Sequence, residues 1–164
     1  MSSCIEGKLF DAIRALALLS AANALPVIVA KLAPGRWPAP LDFGYVMPDG
    51  ERLFGSHKTW RGLGSGILAC TLVGALLHCP LGISAGFAAT SLLADAVSSA
   101  IKRRMHLKPG TEYVGLDQIG EALLPLVLFA RPLSLGLGEI LGVVATFVLL
   151  DVATARLRHR RWRR

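Results

Sequence analysis

Long apolar runs broken by short polar stretches divide the chain into five segments, near 11–33, 62–79, 82–102, 117–131 and 135–156. Each approaches the roughly 20 residues a helix needs to cross a hydrocarbon core. None alternates apolar and polar positions with the period of two that a barrel strand requires, and only helices or closed barrels satisfy their backbone in lipid. The pattern predicts an all-α polytopic membrane helical bundle of about five transmembrane helices, built as a single integral membrane domain over 1–164.

Polar and special residues inside these runs carry further information. Asn23 and Pro26 sit in the middle of the first run, and proline leaves the carbonyl of Ala22 without its helical partner, which predicts a kink there. In the second run Gly62, Gly66, Cys70 and Gly74 recur every four residues, a small-residue stripe along which another helix can approach closely. The fourth run holds Pro125 and is short for a full crossing. Interrupted helices of that kind border polar cavities in membranes.

Composition agrees with a membrane protein, since 53% of the residues are hydrophobic and the mean hydropathy is +0.53. The formal charge of +7 is unevenly placed. Loop 34–61 carries Arg36, Arg52, Lys58 and Arg61, loop 103–116 carries Arg103, Arg104 and Lys108, and the tail 157–164 with Arg156 before it is rich in arginine. The connections between them hold only Arg131. The positive-inside rule puts the amino terminus outside and both long loops and the carboxyl terminus in the cytoplasm, with the tail on anionic lipid. Nucleic-acid binding is the rival reading of such a tail, and it is disfavoured because no aromatic-rich basic surface accompanies it. Cys4, Cys70 and Cys79 have no metal-ligand spacing and read as packing residues. The amino terminus lacks the basic start of a signal peptide, so the first run reads as a retained helix.

Against this background the stretch from Ala94 to Leu124 stands out. Asp95, Ser98 or Ser99, and Lys102 fall at helical intervals of three and four and share a face. Asp95 lies roughly 13 Å down the axis from Arg104, below the interface, where a carboxylate needs a pocket. Lys102, Arg103 and Arg104 are more cation than one carboxylate uses, a surplus that suits an anionic ligand such as phosphate. Asp117 and Glu121 follow one turn apart on the next helix, so an antiparallel hairpin brings Asp95 and Asp117 toward a common space. Clustered carboxylates beside clustered cations describe a magnesium–phosphate site. Acids that only neutralise the Lys-Arg-Arg cluster are the alternative, and spacing leaves both open.

The loop FGSHKTWRG at 54–62 supplies further candidates. Gly55 permits close backbone approach, Lys58 and Arg61 offer charge to phosphates, and Thr59 offers a hydroxyl. The loop is not a P-loop, because His57 stands where that motif has glycine before lysine. An interfacial anchor of aromatic and cationic residues is the plainer reading. His57 and His106 receive no catalytic role, and the roles of Asn23 and of Asp42 in PLDFG stay open.

Taken together, Asn23-x-x-Pro26, PLDFG around Asp42, FGSHKTWRG, DAVSSAIKRR with its following Pro-Gly, and LDQ at 116–118 resemble the CDP-archaeol synthases of archaea, relatives of the CDP-diacylglycerol synthases. The resemblance covers residues 21–124, about two thirds of the chain. It implies a multi-pass membrane cytidylyltransferase whose site faces the cytoplasm. Such an enzyme moves CMP from CTP to an isoprenoid ether lipid phosphate, 2,3-di-O-geranylgeranylglyceryl phosphate, and releases pyrophosphate with Mg²⁺ as cofactor. By the same resemblance Asp95, Asp117 and Lys102 are the catalytic set, and Asp95, Asp117 and Glu121 the metal ligands. Gly55, Lys58, Thr59, Arg61, Ser98, Lys102 and Arg103 are the CTP and phosphate contacts. One departure concerns the position three residues after the LDQ aspartate, where the family commonly has an acid and this chain has Gly120 with Glu121 beside it. A small anion transporter and a membrane subunit without chemistry are the competing classes.

Overall fold

A computed structural model describes residues 2–33, 35–37, 39–105 and 116–161, with the side chains of 2–5, 116–119 and 155–161 outside the description. Five helices follow in order: α1 (Ser2–Leu32), α2 (Trp60–Leu76), α3 (Leu81–Arg104), α4 (Leu116–Leu128) and α5 (Leu137–Arg161). The polar stretch before residue 11 continues α1; Lys8 in it lies 3.7 Å from Glu139, and further along Arg14 bonds Asp11 at 2.9 Å and the Leu133 carbonyl at 3.1 Å. Thr59 starts α2 as its N-cap, its side chain accepting from the Gly62 N–H at 3.1 Å.

Small residues and prolines fix the register of the bundle. A methyl on Gly74 would overlap the Ser84 side chain, and one on Gly66 would lie 2.6 Å from the Ala22 carbonyl oxygen. That carbonyl is the one Pro26 leaves without a helical partner, so the bare Cα of Gly66 lets α2 close on it. The glycine stripe therefore works as the sequence predicts, with Gly66, Cys70 and Gly74 buried. Pro125 frees the Glu121 carbonyl in the same way, and the Ser91 hydroxyl donates to it at 2.8 Å. Ser91 in turn accepts from the Asn23 amide at 3.1 Å, and Asn23 also donates to the Leu19 carbonyl at 3.0 Å. One polar chain thus ties α1, α3 and α4 together inside lipid-soluble surroundings.

These contacts make α1, α3 and α5 parallel to one another and antiparallel to α2 and α4. Phe87 stacks edge-on against Phe129 at 5.9 Å, and the buried core runs through Leu18, Leu19, Cys70, Phe87, Ala88 and Leu126. Residues 33–59 fold over one end of the bundle, called here the loop end. Phe43 and Trp60 meet there at 6.0 Å, and Trp37 and Tyr45 stay exposed.

Three of the five helices are long and apolar enough to cross a membrane, and their most apolar windows are only 17–33% buried in the protein. Apolar helices so little covered by their own chain need lipid for the remainder. The second helix is shorter, at 17 residues. At 13 residues α4 is about 20 Å long, well short of a 30 Å hydrocarbon core.

Candidate active site

Asp42 organises the loop end. Its carboxylate accepts from the backbone N–H groups of Gly44 at 3.0 Å and of Phe54 and Gly55 at 3.1 Å, and pairs with Arg52 at 2.8 Å. Burial alone would raise its pKa, but the three N–H donors and the Arg52 guanidinium outweigh burial and hold it below the usual carboxylate value. A second acid, Asp49, accepts from Arg104 at 2.6 Å, and Arg104 also bonds the Arg52 carbonyl at 2.9 Å. The loop is thereby tied to the end of α3.

With the loop fixed, segments 39–41 and 58–60 run side by side. Leu41 N–H bonds the Lys58 carbonyl at 2.8 Å and Trp60 N–H bonds the Ala39 carbonyl at 3.1 Å. Lys58 is thus held over α3, where its ammonium forms an ion pair with Asp95, both side chains about one quarter exposed. The pair lines a cavity of about 450 Å³. Asn23, Lys31, His57 and Thr59 add polar groups to its wall, while Val27, Leu63 and Leu92 make part of it apolar.

Gly55, two residues before the cavity-lining His57, is in the left-handed region, at φ 93°. A Cβ there would lie 2.6 Å from the Arg103 guanidinium, a side-chain end that can shift, so it is the backbone conformation that favours glycine at this position. Arg103 makes no hydrogen bond or ion pair among the described residues.

The predicted site residues do not all take the places the sequence suggests. Arg61 donates through Nη1 to the carbonyls of Ala33, at 2.6 Å, and Arg36, which caps the carboxyl end of α1 instead of lining the cavity. Ser98 is buried, and its hydroxyl bonds the Asp95 carbonyl at 3.0 Å. Lys102 is half-buried near the end of α3, about 10 Å along the axis from Asp95. Glu121 lies level with Ser91, one turn further into the bundle than Asp95. The Asp117 side chain, His106 and residues 106–115 lie outside the described residues. The backbone register still carries information, because α3 and α4 are antiparallel and Ser91 meets Glu121. One turn on along each helix, the Asp95 and Asp117 backbones lie level.

Among the described residues no three His, Cys, Asp or Glu side chains converge as a metal cage. Asp95 on the cavity wall is a carboxylate of the kind that, with substrate phosphates and water, suits a hard divalent cation, and the Asp117 backbone lies at its level.

Sequence reasoning left Asn23 and Asp42 without roles and passed over Lys31, Ser91, Asp49 and Arg52. Lys31 alone had a local signal, since Asn23, Val27 and Lys31 share one face of α1 at intervals of four.

Fold and site define a membrane-embedded helical protein with a charged, partly apolar cavity near one end. A family model described as CDP-archaeol synthase, CarS-like, matches residues 11–156, and the chain belongs to this family. It is 36% identical over 154 residues to the CDP-archaeol synthase of Pyrococcus furiosus, covering 87% of this chain and 88% of that protein. Identity to the CDP-archaeol synthase of Thermococcus onnurineus is 40% over 141 residues, 77% of this chain and 79% of that one. A solved intramembrane enzyme of archaeal membrane lipid biosynthesis superposes with a TM-score of 0.68 at 29% identity, covering 84% of this chain and 90% of that chain.

Proposed function

We propose that the chain is a membrane cytidylyltransferase that moves CMP from CTP to an unsaturated archaeal ether lipid phosphate, 2,3-di-O-geranylgeranylglyceryl phosphate, giving CDP-archaeol and pyrophosphate. Family membership supports the reaction. The observation that carries it to this molecule is the Lys58–Asp95 pair on the wall of a cavity that is charged at one side and apolar at the other. A polar headgroup and the start of a hydrocarbon chain both find matching surface there.

In this reaction an oxygen of the lipid phosphate forms a bond to the α-phosphorus of CTP. The bond from that phosphorus to the bridging oxygen of the β-phosphate breaks, and pyrophosphate leaves with the electron pair. The acceptor's second pKa is about 6, so it arrives largely as a dianion and needs no strong general base. The protein's work is to bring two polyanions together and align them. Lys58 meets one phosphate, and Arg103 across Gly55 meets another. Asp95 holds Lys58 in place and, with Asp117, would hold Mg²⁺. When bound, the metal would neutralise charge on the triphosphate. The α4 amino terminus starts level with Asp95, and a helix amino terminus favours phosphate. Cations concentrate at the loop end, which supports a site facing the cytoplasm.

The test is transfer of label. CTP labelled at the α-phosphate, given with the diether phosphate to purified protein, is expected to yield lipid-extractable label, and a chelator is expected to stop it. Label that stays in the aqueous phase with a folded protein would overturn the proposal.

A further inference from the structure

Lys31 is an exposed lysine in the last turn of α1, closing the apolar run from Ala24 to Ala30. Two structural duties are usual for such a lysine: capping the last carbonyls of its helix, or pairing with a carboxylate. Neither is filled by Lys31. The Ala33 and Arg36 carbonyls beyond the end of α1 are taken by Arg61, and no ion pair or hydrogen bond involves Lys31 among the described residues. Its side chain lines the same cavity as Lys58 and Asp95.

Position gives that lysine a direction. Asn23 touches Ser91, and α1 and α3 run parallel, so Lys31 lies level with Ser99, about 12 Å along the axis from Asn23 and one turn beyond Asp95. Helical side chains tilt toward the amino terminus of their own helix, and the four-carbon stem of lysine carries its charge back toward the level of Asp95. The neighbouring wall is apolar. Pro26, Val27 and Ala30 share its face of α1, and Val27 is 42% exposed. Arg103, the other uncommitted cation, approaches through Gly55 from α3, and neither lines this cavity beside Val27.

Resting on the cytidylyltransferase reading, we infer that Lys31 is a further substrate-binding residue that holds the phosphate monoester of the acceptor lipid, leaving Arg103 to the nucleotide. The acceptor phosphate sits between the Lys31 and Lys58 ammonium groups, and its isoprenoid chains leave along Val27 and Ala30. Lys31 therefore selects the acceptor and has no contact with CTP.

The experiment compares wild type with Lys31→Met and Lys31→Arg in lipid nanodiscs. The KM for the diether phosphate is expected to rise roughly tenfold in Lys31→Met and to return toward wild type in Lys31→Arg, as removal and restoration of one charge-assisted contact require. The KM for CTP is expected to stay the same. An unchanged lipid KM, or a change in the CTP KM instead, overturns the inference. A purely interfacial anchor would lower thermal stability in Lys31→Met without moving the two KM values apart. A second arm uses no CTP and reads stabilisation of the protein by the diether phosphate, with the diether alcohol and with chainless glycerol phosphate. Stabilisation by the diether phosphate alone, lost in Lys31→Met, supports the inference even if no CMP is transferred, and then only the reaction proposal fails. Equal stabilisation of wild type and Lys31→Met, or none of either, overturns it.

Discussion

The two ends of the bundle treat charge differently. At the end away from the loop, Lys8 pairs with Glu139, and Arg14 spends one nitrogen on both Asp11 and the Leu133 carbonyl. Those ions lie between α1, the start of α5 and the turn before it, and each has a partner close by. At the loop end, Asp42 pairs with Arg52 and Asp49 with Arg104, yet Lys31 and Arg103 make no ion pair or hydrogen bond among the described residues. A protein that leaves cations open next to a cavity, after satisfying those nearby, has built a place for an anion. The contrast separates charge that holds the fold from charge that meets a ligand.

Substitutions sharpen that contrast. The largest effect is expected at Asp95→Asn, which keeps size and polarity but leaves Lys58 without its counter-ion and removes the cavity's carboxylate. Turnover is expected to fall by at least about a hundredfold, with the helical circular dichroism unchanged. Asp42→Asn should follow, through the loop rather than through chemistry. It leaves Arg52 unpaired and weakens three N–H bonds, a local cost of about 1–3 kcal/mol, read as faster amide exchange over 42–55. The sign of the pH effect is fixed by the lowered pKa of Asp42. Loop order contributed by this carboxylate is complete above its ordinary value of 3.8 and is lost as pH falls below that toward the depressed native value, and Asn should abolish this acid-dependent opening.

Gly55→Ala comes next. Its left-handed backbone and the nearby Arg103 guanidinium together predict about 1–2 kcal/mol of strain and a raised KM for CTP. Ser91→Ala removes the hydroxyl that donates to the Glu121 carbonyl, and about 1–2 kcal/mol should be lost from thermal stability while Ser91→Thr restores it. The smallest effect belongs to the other end. Lys8 is 63% exposed, and Lys8→Met should change stability and turnover within error.

Much of the fold was legible because lipid imposes a simple code. Apolar runs marked the five helices, the Gly66–Cys70–Gly74 stripe marked a close contact, and Pro26 and Pro125 marked carbonyls that need outside partners. The partners were not legible. Gly66 meets the Ala22 carbonyl and Ser91 meets the Glu121 carbonyl across 44 and 30 positions of chain, distances no local pattern spans. The site divided in the same way. Lys58 and Asp95 were singled out by charge alone and do come together. Arg61 carries the same charge in the same motif but caps α1, because the carbonyls that claim it lie 25 and 28 residues upstream. Asp42 gave no local sign of its role, since its donors sit up to 13 residues away in a loop without repeating structure.

The most direct measurement is pyrophosphate release by purified wild type beside Asp95→Asn, with CTP and the geranylgeranylated glyceryl phosphate given separately and together. Release that requires both substrates and vanishes in Asp95→Asn is the predicted result. Release that proceeds without lipid, or that survives in Asp95→Asn, would contradict the account.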